Sequence, residues 1–323
     1  MALYIGNQKV APTIVTQEGI KYGATGDTFL GDVDANGILQ KPSLETNLVF
    51  TGVQDIAENA LSYFVGYPSS KLKIKTVSFP SLTTISGSYA MSNAFKGCTS
   101  LISVDLSSQT TVSGSSAMYY AFSGCTKLTS VDLSSLTTIS GAHALEFAFS
   151  NCTGLTSVDL SSLTTISGSY AMSNAFTGCT SLTSVDLSSL VNGFLTSAFK
   201  GCTSLISVNL SSYNTESSYA LQNAFEGCTS LASFIFPSYT TIGGYLTMNN
   251  SFKDCTNLAS VSFPALASIG SNTNQFNDML SGVTGCTVHF PSNLQSFIGS
   301  WSSVTSGFGG TNTTVLFDLP ATT

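Results

Sequence analysis

Residues 81–95 read SLTTISGSYAMSNAF, and residues 162–176 read SLTTISGSYAMSNAF again, letter for letter. The copies lie three units apart, because Val77, Val104, Val131, Val158 and Val185 recur every 27 residues, each two positions before Phe79, Leu106, Leu133, Leu160 or Leu187. The series runs on through Val208, Phe234, Val261 and Val288. A fixed period of this length is the mark of a solenoid, in which each turn stacks on its neighbours.

Within one unit, residues 94–114 read AFKGCTSLISVDLSSQTTVSG. The S-V-D-L alternation is the period-two signal of a strand with one buried face, so Val104 and Leu106 point inward while Ser103 and Asp105 point out. T-T-I-S-G gives a second short extended piece, closed by a glycine such as Gly87, Gly141 or Gly168 at which a positive φ is expected. SYAMSNAF, short and rich in Ala and Met, suits one or two turns of 3₁₀ or α-helix.

Stacking turns the repeat into columns. Phe95, Phe122, Phe149, Phe176, Phe199, Phe225 and Phe252 form an aromatic ladder; Leu101, Leu128, Leu155, Leu182, Leu205, Leu231 and Leu258 form a second. Met91, Met118, Leu145, Met172, Leu221 and Met248 fill a third. A single turn has no partner for its apolar side, so stability comes from neighbours and both ends need caps. The valine series implies one continuous sheet, about 4.8 Å from strand to strand. One step is short, 23 residues from Val185 to Val208, which places a local pinch around Val191 to Phe194.

Only 8% of residues are charged, with ten Lys and Arg and a formal net charge of −7. That balance excludes a nucleic-acid backbone or an anionic membrane as partner. No stretch approaches 18 consecutive apolar residues, and the opening MALYIGNQKVAPTIV has no basic segment followed by an apolar one. The expectation is therefore no membrane insertion and no visible signal peptide.

The pattern AF-x-x-C-x-x-L-x-x-V-x-L, with seven AF-x-x-C or SF-x-x-C copies between about 67 and 290, resembles the BspA-like, or Treponema-type, leucine-rich repeats. The resemblance implies a β-rich leucine-rich-repeat solenoid with short strands on one face and short helical turns or loops on the other. It also implies a surface-exposed binding or adhesion protein. Residues 51–79 read as a worn capping repeat, 80–290 as the solenoid, and 291–323 as a second cap with Trp301 and Phe317 as lids. Residues 1–50, turn-rich and aperiodic, read as an attachment module or arm through which the chain could also form homo-oligomers. The short opening resembles, more faintly, the start of tail-associated proteins from phages of gut bacteria.

Candidate chemistry is sparse. Cys98, Cys125, Cys152, Cys179, Cys202, Cys228 and Cys255 recur once per turn, without the paired C-x₂-C and histidines a zinc site needs, and read as buried free thiols. Asp105, Asp132, Asp159 and Asp186 form a column on the outer strand face, either a solvated strip that resists aggregation or a glycan- or cation-binding strip. The segment between repeats drifts most. Where the first copy has Tyr89, Ser92 and Asn93, the next has Ser116, Tyr119 and Tyr120. The third has His143, Glu146 and Phe147, and the fourth Tyr170, Ser173 and Asn174. Aromatic rings beside polar groups suit contact with carbohydrate or protein, though they also fill uneven gaps.

With two histidines and no nucleophile elbow, zinc-protease motif or phosphate loop, neither an enzyme nor a bound cofactor or metal is expected. Three functions stay open: a phage tail fibre or receptor-binding component meeting a bacterial surface glycan or protein, a bacterial cell-surface adhesin binding host matrix, cells or another host protein, and a structural spacer. The first places the chain on a virion, the second at the cell surface.

Overall fold

The computed structural model describes residues 73–270, 274–295 and 307–321, with shorter pieces at 3–5, 8–10, 14–15, 21–22, 45–49, 54–56, 58–59 and 61–62. Trp301 and most of residues 1–50 lie outside them.

The chain is a parallel β-solenoid. Ser103–Asp105, Ser130–Asp132, Ser157–Asp159 and Ser184–Asp186 pair side by side in strict register, Val104 against Val131, Val158 and Val185. Each strand shows its middle valine to the core and its flanking Ser and Asp outward, as the alternation requires. A second, two-residue ladder runs alongside, with Thr84, Thr111, Thr138 and Thr165 in register. The sheet extends beyond the repeats at both ends. Glu45–Val49 pairs with Lys73–Ser78, and Thr314–Leu319 pairs with Thr287–Pro291, where Phe317 stacks on Phe290 at 6.1 Å.

The sheet is not continuous. Seven strands end at Ser207–Asn209, and four more begin at Ser233–Ile235 without pairing to them. Phe234 occupies the valine column here, wedged 4.9 Å from Phe225 and 5.1 Å from Phe252, and its bulk accompanies the seam. The 23-residue step is not the break, since Val185 and Val208 pair in register. Its missing residues come out of the second ladder, which shrinks to the single bridge Thr165–Asn192. Tyr213 takes the column of Leu136, Leu163 and Leu190 beside this gap, fully buried, and donates its hydroxyl to the Gly193 carbonyl at 2.6 Å.

The remaining side of each rung is not helical, contrary to the expectation for SYAMSNAF. The N–H groups of Tyr89, Met91, Asn93, Phe95 and Gly97 donate to carbonyls of the next rung at 2.7–2.8 Å. Those of Ala90, Ser92, Ala94 and Lys96 donate three residues back within their own rung. Half of the donors are thus committed to a neighbour, and a left-handed residue at every fourth position (Tyr89, Asn93, Gly97) breaks any helix. The result is a chain of linked β-turns, which we call the turn face.

The T-T-I-S-G glycines also differ from expectation. Gly114, Gly141 and Gly168 do not sit at positive φ. They are small because the rungs touch there: a Cβ on Gly141 would collide with the Gly114 carbonyl oxygen, and one on Gly168 with that of Gly141. The core between the faces is the anticipated set of columns. Phe95, Phe122, Phe149 and Phe176 are wholly buried and stack with centroids 5.3–5.4 Å apart and planes within 6° of parallel.

Candidate functional site

On the turn face the drifting positions of neighbouring rungs come together. Tyr120 and Phe147 lie flat on one another, 4.6 Å between centroids, and Tyr119 meets Tyr120 edge-on at 4.5 Å. The Lys96 ammonium sits 4.1 Å above the Tyr120 ring from the preceding rung, a cation–π contact. On the other side His143 Nδ1 is 2.6 Å from Glu146 Oε2, and the imidazole stacks on Tyr170 at 5.3 Å. Burial raises the Tyr120 phenol above its usual pKa, with Tyr119 and Glu146 adding to the effect.

Four rungs therefore contribute to one patch; the rings of Tyr119, Tyr120, His143 and Phe147 are half-buried, and that of Tyr170 is exposed. The local backbone explains why these positions are noteworthy. Tyr120, His143 and Phe147 all have φ between 53° and 55°, a region that Asn and Gly enter readily and bulky side chains do not. The two identical copies place Asn93 and Asn174 where Tyr120 and Phe147 stand, and each donates to the preceding serine at 3.0 or 3.1 Å. The aromatic rungs have rings, in a backbone conformation costly for bulky side chains, where the other two have that polar pair. Lys96 was not legible as a member. In its column Ser123 and Ser150 follow it, and only the stacking of rungs shows that the ammonium reaches the next ring.

The Asp column stands elsewhere, at the ends of the main strands, in register from Asp105 through Asp186 to Asn209. Each carboxylate turns back on its own chain. Asp105, Asp132, Asp159 and Asp186 accept the N–H of the serine two residues on at 2.9–3.1 Å, and Asn209 does the same with Ser211 at 3.2 Å. These are Asx-turns that end the strand. Burial pushes Asp105 up, but the hydroxyls of Ser107 and Ser78 and the Ser107 N–H outweigh it and leave the carboxyl below its usual pKa. Asp159 is lowered by the Ser161 hydroxyl and N–H. An open depression of about 450 Å³ lies over Asp105, Asp132 and Asp159. Among the described residues no group of three or more His, Cys, Asp or Glu is placed to hold a metal ion.

The cysteines are all buried and free. Cys125, Cys152 and Cys179 donate to the carbonyls of Phe95, Phe122 and Phe149, each one rung back, at 3.2–3.3 Å. Burial pushes the Cys98, Cys202 and Cys255 thiols up to about 12. They are core residues with a weak donor, not nucleophiles. No helix among the described residues is long and apolar enough to cross a membrane.

No curated protein matches the chain. Among solved structures it is similar to a leucine-rich repeat protein from Bacteroides ovatus, 19% identical over 96% of this chain and 98% of that one, with a TM-score of 0.34. A Treponema pallidum leucine rich repeat protein is 22% identical over 75% of this chain and 87% of that one, with a TM-score of 0.37. A leucine rich cell surface protein from Faecalibacterium prausnitzii is 16% identical over 90% and 95%, with a TM-score of 0.23. The model of the BspA type leucine rich repeat region, six copies long, matches residues 69–174, 119–251 and 148–281. With two thirds of its length covered by that match and its rungs stacked as parallel strands, the chain belongs to the BspA type leucine-rich-repeat family.

Proposed function

We propose that the chain is a non-enzymatic recognition protein that meets a bacterial surface through its turn face, with Tyr119, Tyr120, His143, Glu146 and Phe147 as contact residues. The observation that carries this reading is the exchange of Asn–Ser pairs for stacked rings at left-handed positions on two adjacent rungs. The Phe, Cys and Leu columns of Phe122, Cys125 and Leu128 around them keep their residues from rung to rung, so the aromatic pair is not needed to build the fold. The Asp column serves its own turns and is a weaker candidate for contact. The finer reading, a phage tail component carried on a virion by its N-terminal arm, is supported by the opening MALYIGNQKVAPTIV.

The test is binding of the labelled full chain to intact gut bacteria beside immobilised host matrix proteins, with a Tyr120→Asn, Phe147→Asn variant in parallel. Binding to cells that the variant loses supports the reading. Matrix binding alone turns it into an adhesin for host proteins, and no binding to either surface leaves a spacer.

A further inference from the structure

A second set of rings lies along the turn face, at its border with the short ladder. Tyr89, Tyr170, Tyr219 and Tyr245 are exposed by 48%, 56%, 40% and 42%. Tyr89, Tyr170 and Tyr219 again have left-handed backbones, at 54° to 62°. They occupy one line because they precede the core phenylalanines by nearly the same count, six residues for Phe95, Phe176 and Phe225 and seven for Phe252. His143, six residues before Phe149, joins the line and stacks on Tyr170. Tyr219 and Tyr245, on adjacent rungs, are 5.6 Å apart and edge-on.

The spacing along this line is set by the stack itself. Equivalent phenylalanine centroids are 5.3 to 5.8 Å apart from Phe95 through Phe252. That step is close to the length of one pyranose unit in an extended glycan chain. The surroundings are also those of a sugar site. Ser88, Ser169, Ser218 and Gly244 immediately precede the four tyrosines, and the charged groups beside the strip among the described residues include the His143–Glu146 pair, Glu216 and Glu58, whose neighbour Asn59 donates its N–H to the Ser88 carbonyl. In a chain with a net charge of −7 such a strip repels an acidic polymer and offers a cationic one little to grip. Aromatic faces stack on the C–H faces of pyranoses, and serine hydroxyls pair with their hydroxyl rims.

We propose that this tyrosine strip binds an extended, neutral polysaccharide laid along the solenoid axis, with Tyr170 and Tyr219, two rungs apart across the ring-free rung of Phe199, as stacking platforms and Tyr245, edge-on to Tyr219, at the side of the chain. The assignment rests on the recognition reading and names its ligand class. Its test is native affinity electrophoresis of the full chain through gels containing glucomannan, xylan, hydroxyethylcellulose or laminarin, with polygalacturonate as the acidic control. A Tyr170→Asn, Tyr219→Asn variant, whose asparagines suit the left-handed backbone, is run beside it after its melting temperature has been shown to match the parent. Retardation by at least one neutral polymer, weakened by about tenfold or more in the variant, is the expected result. Hexasaccharides of that polymer should bind more tightly than disaccharides, since several rungs are engaged at once.

Three results overturn the assignment: no retardation by any neutral polymer, retardation that the variant keeps, or retardation by polygalacturonate alone. If the chain binds whole bacteria but none of these polymers, recognition stands and the neutral-glycan assignment falls.

Discussion

Phe147 lies flat on Tyr120, 4.6 Å between ring centroids and 2° from parallel, and both residues hold left-handed backbones. Asparagine occupies the same two positions in the neighbouring rungs without losing the fold. Tyr120→Asn with Phe147→Asn should therefore change stability by less than about 1 kcal/mol, the relief of backbone strain offsetting the lost stacking. Urea unfolding checks this. A loss of several kcal/mol would show that the rings are there to pack rather than to bind.

Phe149 stacks between Phe122 and Phe176, 5.4 Å from each, with no exposed surface. Phe149→Ala leaves a cavity that neighbours on both sides share, and it should cost about 3 to 5 kcal/mol by equilibrium unfolding. A loss below 1 kcal/mol would contradict a tightly stacked core.

Gly141→Ala tests the close approach of rungs. The new methyl would meet the Gly114 carbonyl, which is backbone and cannot swing aside. The expected loss is about 1 to 3 kcal/mol. A much smaller effect would mean that the rungs part easily at this edge.

The thiols make a chemical prediction. Because they are buried in the fold, an aromatic disulfide reagent at pH 8 should react with none of the eight until denaturant is added. The pH dependence follows in sign. Cys98, Cys202 and Cys255 have folded pKa values raised to about 12, against roughly 8.5 in an unfolded chain. Their contribution is fully present below pH 8.5 and is lost as pH rises toward 12, so melting temperature should fall progressively over that range.

Asp132→Ser with Asp159→Ser should cost less than about 1 kcal/mol, because serine can still form a weaker turn bond at each position and a row of like charges is thinned. Calcium should leave the melting temperature of parent and variant alike unchanged. Acid gives the opposite sign to the thiols. Asp105 and Asp159 have lowered folded pKa values, so the stability they lend is present above about pH 4 and is lost as pH falls further. The parent should lose more than the variant, which lacks Asp159, in melts between pH 5 and pH 2.

The columns were legible because stacking repeats one environment: a Phe or Leu recurring at 27 residues has the same neighbours in every rung, so its inward direction follows from the period alone. The turn face was less so. SYAMSNAF has helix-compatible composition, and its true conformation depends on N–H groups that bond to the next rung, a contact no local propensity contains. Gly141 carried an ambiguous signal for the same reason, since glycine answers both to positive φ and to a near backbone. The seam at Phe234 was visible as a substitution in the valine column but not as a break, which requires knowing how much space the facing strand leaves. The aromatic patch was found by comparing copies, and its strain only by reading φ.

The in-register pairing of Val104, Val131, Val158 and Val185 makes each rung interchangeable with the next, and residues 81–95 and 162–176 are written in the same letters. Gain or loss of a whole unit leaves every remaining strand a partner in register, and a gained unit would find its neighbours' bonding edges already waiting. Length, and with it the order in which aromatic and polar rungs are displayed, can thus be edited in single heritable steps while the interior goes on reading the same.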